Sequence, residues 1–439
     1  MTGHCRSFWC AVVVGLVTTA AFSQPANDTL VLNYPEAEAV FLQRNLRLLA
    51  GELEIDEAKA TVLQAKLWPN PTLSIGEVNP WSNRGAEQLG HLLGNWGNHF
   101  QLAVEIEQLI QTAAKRRKLI AVEQTGVLIA EEQFAELLRS LKVEFRTRLA
   151  ELDHTQQRAA IYQQARSQLQ QLMQGYQRQV QQGHVSQSEY LRLRALEADL
   201  AKNIADIAKE NQAAQQAVKV LMGVAPQYEL VISHDSSRDV PLAALKTLHA
   251  ATILEWAQTN STELRTAQLE KVQAAHRLSY EKAQRVPDLA VHINYDRGGN
   301  IMRDFVGVGL SMDIPFFQRN QGNIRAAQAT VDRSRLLAEH KENEISGAAI
   351  QAWKALQLSI DQQEQLGDDL GPELDTLQHA YHHNFAARHI SLLEYLDFLD
   401  AYLAAKDHIL ENQMDIYTHL ETLRYHVGDQ LPLLTKTDD

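Results

Sequence analysis

The chain has 439 residues, with 41 Lys and Arg against 54 Asp and Glu and a formal net charge of −13. An acidic chain without a basic block excludes a nucleic-acid partner held through phosphate contacts. Both cysteines, Cys5 and Cys10, fall within the first ten residues, so the rest of the chain has no thiol for a disulfide, a metal or a nucleophile and must be held together by packing.

Arg6, the apolar run from Phe8 to Ala21 and the small-x-small triplet Ala21-Phe22-Ser23 predict a secretory leader over residues 1–23, with the mature chain starting near Gln24. No later stretch reaches the ~20 apolar residues of a membrane-spanning helix. A mature chain that meets a membrane must do so through β-structure or at its surface.

From Pro35 to Lys66 apolar residues recur at spacings of three and four, predicting a helix that ends at Trp68-Pro69-Asn70-Pro71. The period then becomes two. Leu73 and Ile75, and later Leu102, Val104 and Ile106, alternate with polar or small residues, giving a strand pair over about 72–107. Lys115 opens a long helical stretch free of proline, with Leu138, Leu141, Phe145, Leu149 and Leu152 at coiled-coil spacing. The chain turns at Gly183 and returns to Gly223. That return is much shorter than the outward limb, so another helix must complete the side. Ala225 to Pro241 reads as a linker.

The same order then repeats. A helical segment covers about 242–284, strands follow over about 289–314, and a second hairpin runs from about Arg319 through Ala387-Arg388-His389 to Gly428. The clearest signature is His184-Val185-Ser186-Gln187-Ser188-Glu189-Tyr190-Leu191, rewritten 205 residues later as His389-Ile390-Ser391-Leu392-Leu393-Glu394-Tyr395-Leu396 with five of eight positions identical. Two copies of one long unit follow: residues 24–241 and 242–428, with a polar, disordered tail expected over 429–439. The fold class expected is mainly α with a small β part. Four strands with one apolar face cannot close a barrel, because the smallest membrane barrels need about eight. Copies must pool them, and a trimer gives twelve.

Here the sequence resembles the TolC-like outer-membrane factors, and within them the CzcC-type heavy-metal efflux branch. The residues that carry it are Leu67-Trp68-Pro69-Asn70-Pro71-Thr72-Leu73, Lys115-Arg116-Arg117, Val286-Pro287-Asp288, Ile314-Pro315-Phe316-Phe317-Gln318-Arg319-Asn320-Gln321-Gly322-Asn323-Ile324 and the two octets. Gln111-Thr112-Ala113-Ala114 departs from the branch, which usually has a glycine pair before Lys-Arg-Arg. Gln187-Ser188 departs in the first tip, where the branch has an apolar pair. The resemblance implies a homotrimeric barrel in outer-membrane lipid continued by a periplasmic helical barrel. It implies a passive exit duct working with a periplasmic adaptor (membrane fusion) protein and an inner-membrane RND-type pump, with no cofactor and no enzymatic activity.

The resemblance also implies site residues. The hairpin turns Gly183, His184, Val185, Ser186 and Arg388, His389, Ile390, Ser391 dock the adaptor, and Glu394 and Asp397 form acidic rings at the periplasmic mouth. His379 and His383, at i, i+4, have a spacing that can clasp a metal on one helix face; exposed polar positions are the commoner explanation of such a pair, and no Cys or His-Glu-x-x-His motif accompanies it. His292, Asn294 and Asp296 are expected on the wet face of their strand. Two further readings are a duct for drug efflux or type I secretion, and a periplasmic coiled-coil adaptor. An adaptor carries one hairpin flanked by mainly β domains, unlike this chain.

Overall fold

The computed structural model describes residues 29–79, 101–233, 242–298, 302–428 and 431. The expected leader, the connections over 80–100 and 299–301, the linker beyond Ser233 and the tail other than Leu431 lie outside the described residues. In chain order the elements are β1 (Thr29–Leu32), α1 (Tyr34–Arg44), α2 (Leu46–Lys66), β2 (Thr72–Asn79), β3 (Gln101–Ile110), α3 (Lys115–Gln181), α4 (Gln187–Met222), β4 (Glu229–Ile232), α5 (Leu242–Lys246), α6 (Ala250–Asn260), α7 (Thr262–Ala283), β5 (Leu289–Gly298), β6 (Arg303–Met312), α8 (Gln321–Leu366), α9 (Leu370–Ala386) and α10 (Leu392–Val427).

The outward limb α3 is unbroken for 67 residues, about 100 Å at 1.5 Å per residue. Its return, α4, has 36 residues, about 54 Å. The missing length is supplied by α2, which also packs on α3 and begins where α4 ends. Asn45 makes that joint. Its side-chain oxygen accepts from the N–H groups of Arg47 and Leu48 as the N-cap of α2, while Nδ2 donates to the Leu221 carbonyl of α4 at 2.8 Å. The second copy divides the work between two neighbours: Ser261 caps α7, and Asn260 Nδ2 donates to the Val427 carbonyl of α10 at 2.9 Å.

These joints correct the expected continuous helices over 35–66 and 242–284. At Asn45 and Ser261 the backbone is extended, with ψ of 114° and 118°, and a capping side chain replaces the helical bond. The second segment also breaks between Lys246 and Ala250. The second outward limb differs too. It starts at Gln321, stops at Leu366, passes Gly367 at φ 74° and resumes as α9.

The expected linker holds β4, which pairs in parallel with β1 in register Thr29 to Glu229 through Leu32 to Ile232. Leu230 and Ile232 enter the core formed by α1, α3 and α4. Leu431 is only 2% exposed and joins the core of α5, α6, α8 and α10.

Charged networks fasten the hairpins to one another. Arg146 of α3 binds Glu38 of α1 through two nitrogens, at 3.0 and 2.8 Å, and Glu421 of α10 at 3.0 Å, while Arg424 also reaches Glu421. Those carboxylates raise the Arg146 guanidinium above its ordinary value against the opposing effect of burial. Nearer the tips, Arg158 and Tyr162 of α3 both bond Asp407 of α10.

Candidate functional site

The four-stranded sheet, in the order β2-β3-β5-β6, is antiparallel throughout. Its register gives two unlike faces. Leu73 and Ile75, Val104 and Ile106, Val291, Ile293 and Tyr295, and Val306, Val308, Leu310 and Met312 share one side. Thr72, Ser74, Glu105, Glu107, His292, Asn294, Asp296, Gly307, Gly309 and Ser311 share the other. Most of the apolar side is exposed, an arrangement water does not tolerate over so wide a patch. The outer edges of β2 and β6 have no partner among the described residues. Below the sheet, Trp68, Ile314, Phe316 and Phe317 are exposed as well, and Arg116 stacks on Trp68 with its guanidinium carbon 3.9 Å from the ring centre.

Between sheet and helices the chain turns through Thr112, Ala113 and Ala114. Thr112 N–H donates to Asp288 Oδ1 at 2.8 Å, and Lys115, 3% exposed, binds the same oxygen at 2.8 Å. Ala113 and Ala114 have φ of 50° and 56°, the left-handed region that favours glycine. The glycine pair usual at this place has a conformational reason, and the alanines take the same turn under strain.

At the far end each hairpin turns by the same device. Gly183 has φ 75° and Arg388 has φ 63°; His184 N–H donates to Gln179 O at 2.9 Å, and His389 N–H to Asn384 O at 2.8 Å. This is the left-handed closure of a helix C-terminus. Ser186 and Ser391 then cap the returning helices by accepting from the N–H groups of Glu189 and Glu394. Glu394 Oε2 also accepts from Ser391 N–H at 2.7 Å, completing a capping box. The repeated octet is thus a turn-and-cap sequence, with Val185 and Ile390 half-buried, Leu392 and Tyr395 buried, and Gly183, His184, Ser186, Arg388, His389 and Ser391 exposed.

Sequence and fold comparisons agree with this geometry. The sequence model of the outer membrane efflux protein family matches residues 40–224. That match covers the first of the two copies. It is 24% identical to the cobalt-zinc-cadmium resistance protein CzcC of Cupriavidus metallidurans over 368 residues, 81% of this chain and 80% of CzcC. Its fold matches the CmeC outer membrane channel of Campylobacter jejuni with a TM-score of 0.71, over 93% of this chain and 90% of CmeC at 12% identity. It also matches CusC, with a TM-score of 0.65 over 93% and 95% of the two chains at 17% identity.

Together these matches point to an outer membrane efflux channel, and the fold carries its sheet at one end with the hairpins extending from it. The structure separates the two acids expected at the mouth of this channel. Glu394 spends its carboxylate on the cap, and the bonds from Ser391 hold it below the ordinary carboxylate value. Asp397 is exposed one turn on. Its carboxylate and that of Asp199 on α4 act on Asp400, whose carboxyl is pushed up first by burial and then by those two charges. His379 and His383 are exposed, and among the described residues no Asp, Glu or further His completes a metal group with them. Between them His382 is pushed down, by burial and then by the two neighbouring imidazoles.

One group was not visible in the sequence. Glu105 and Glu107 of β3 meet His292 of β5 on the polar face, the His292 Nδ1 lying 3.2 Å from Glu105 Oε1 and 3.5 Å from Glu107 Oε2. The alternation of β3 marked both glutamates as polar-face residues. Which strand lies beside them, 187 residues further along, is set only by the β3–β5 pairing. Glu107 and Ser311 also line a cleft of about 970 Å³ at the base of the sheet, with Lys115, Asp288, Glu281 and Asn320.

Proposed function

We propose that three copies of this chain pool their sheets into a twelve-stranded outer-membrane barrel and their hairpins into a periplasmic duct. The duct would be the exit of a tripartite pump for heavy-metal cations of the cobalt, zinc and cadmium class. The observation that carries the assembly is the sheet itself. Its apolar face is exposed and, among the described residues, its two edges are open, and in lipid every strand edge must be paired. The exposed aromatic group at Trp68, Phe316 and Phe317 suits the membrane–water boundary at the barrel rim. The cargo class is supported by the CzcC relative, which aligns with four-fifths of each chain, and by the motifs before β2 and after β6.

In this reading a periplasmic adaptor docks on the tips at Gly183 to Ser186 and Arg388 to Ser391, and an RND-type pump in the inner membrane supplies the energy. The mouth acidity comes from Asp397 and Asp400, with Glu394 held in its cap. Rings of carboxylates on a three-fold axis favour cations and repel anions.

The test is export from whole cells. A strain lacking its own duct but retaining pump and adaptor, given this gene, should lower its cellular cobalt, zinc or cadmium. Unchanged metal content with the trimer present in the outer membrane refutes the cargo assignment.

A further inference from the structure

We propose that Glu105, Glu107 and His292 form a divalent-cation site on the polar face of the sheet, one per chain, suited to a borderline transition-metal ion such as Zn²⁺ or Co²⁺. The inference rests on the reading of this face as the water-filled one, and does not depend on the identity of the cargo. One donor atom from each residue lies within 4.8 Å of the other two. A tetrahedral ion with bonds of about 2.0–2.2 Å sets its ligand atoms about 3.3–3.5 Å apart. The His292 to Glu105 and His292 to Glu107 separations of 3.2 and 3.5 Å already match two such edges, and the third, between the glutamates, is within 4.8 Å, a gap that rotation of the carboxylates closes.

The position of the three residues is held by the sheet. His292 is the register partner of Glu107, and Glu105 stands two residues along on the same face. His292 Nε2 lies 2.6 Å from Ser311 Oγ on β6, a contact that fixes the ring plane. In the tautomer that donates from Nε2 to Ser311, Nδ1 turns a lone pair toward the two carboxylates, the orientation of a metal-ligating imidazole with an outer partner. Three lone-pair-bearing atoms then converge with no proton between them. Among the described residues the ion-pair contacts of both glutamates are with His292, and no Lys or Arg pairs with either.

The surrounding residues leave the fourth position open. The neighbours of His292 and Asn294 on β6 are Gly309 and Gly307, and those of Glu107 and Glu105 on β2 are Thr72 and Ser74. A Cβ at Gly307 would stand 2.4 Å from Asn294 Oδ1 and 2.8 Å from Phe305 Cε1, so those side chains would have to turn aside for any larger residue. Two carboxylates and one imidazole, with no thiolate, suit Zn²⁺, Co²⁺ or Ni²⁺ over softer ions. Three half-exposed ligands and an open position bind and release readily, as a conduction path demands.

The test uses the detergent-extracted full chain, titrated with Co²⁺ and followed by the visible absorption of a tetrahedral cobalt centre. The wild type should take up one such equivalent per chain, displaced by Zn²⁺. The nearly isosteric variant Glu105→Gln/His292→Gln should lose it, with affinity at least tenfold weaker, while Asp397→Asn/His379→Gln/His383→Gln keeps it. A second readout needs no variant: Zn²⁺ should protect His292 from acylation in the wild type. Absence of saturable cobalt absorption, equal uptake by the wild type and the Glu105/His292 variant, or unprotected His292 overturns the site. Cargo is read separately, from whole cells. A chain that binds cobalt here and exports none refutes the cargo and leaves the site standing, and the reverse result does the opposite.

Discussion

Replacing Ala113 and Ala114 by glycine should stabilise the protein. Both residues hold left-handed φ values of 50° and 56°, a conformation that costs a residue with a Cβ about 1–2 kcal/mol. Glycine removes that cost but gives the unfolded chain more freedom, which opposes the gain by about 0.4–1 kcal/mol. The net is about 0.5–1 kcal/mol at each site, and about 1–2 kcal/mol for the pair. The bonds that fix the turn, from Thr112 and Lys115 to Asp288, involve neither alanine side chain and persist in the variant. Asn320 holds φ 56° at the matching place in the second copy, and asparagine tolerates that region, so Asn320→Gly should gain less. Midpoints of thermal unfolding for the detergent-extracted protein, compared at one scan rate, measure the effect. A double-glycine variant that melts lower than the wild type refutes the argument.

Asn45→Ala removes the cap of α2, worth about 1 kcal/mol, and strands the Leu221 carbonyl at a further ~1–3 kcal/mol; Asn45→Ser keeps a capping oxygen and loses the bond to Leu221, so its melting point should fall between those of the wild type and the alanine variant. Asp400 has a raised carboxyl value, so over the window between the ordinary and the raised value the folded chain holds more protons than the unfolded one, and stability falls as pH rises through it. Asp400→Asn should therefore melt above the wild type at pH 7 and level with it near about pH 3, below the ordinary carboxylate range; an equal gain at both would assign the effect to packing. Ser186→Arg with Ser391→Arg should abolish export while trimers still assemble, and sustained export would move the adaptor's docking surface away from the tips.

The parts of the fold that were legible in the sequence are those governed by a repeating pattern. Period-two alternation marked the strands and their faces, and three-and-four spacing marked the limbs of both hairpins. The tips were legible because the octet occurs twice. What the pattern concealed was decided by single side chains or by partners far away. The break at Asn45 needs Leu221 to receive its amide, and the apolar spacing runs across it undisturbed. The runs Leu30-Val31-Leu32 and Leu230-Val231-Ile232 are too short to announce strands, and each exists because the other lies beside it. Glu394 is expected as a mouth acid from its place after the tip. Its bond back to Ser391 N–H depends on a side-chain rotamer that the spacing does not encode, and Glu189, at the same place in the first copy, lends the cap its N–H alone. The Glu105, Glu107 and His292 group depends on a strand pairing that crosses between the two copies, a relation no local spacing encodes.

The most direct test of the duct is the orientation of the sheet in the membrane. No cysteine occurs after Cys10, so single cysteines can be placed at Val308 and Ser311 and labelled in proteoliposomes with a membrane-impermeant thiol reagent and with a lipid-soluble one. In a barrel with its polar face inward, Ser311→Cys reacts with the impermeant reagent and Val308→Cys only with the lipid-soluble one. Preferential labelling of Val308→Cys by the impermeant reagent would turn the sheet inside out and contradict the barrel.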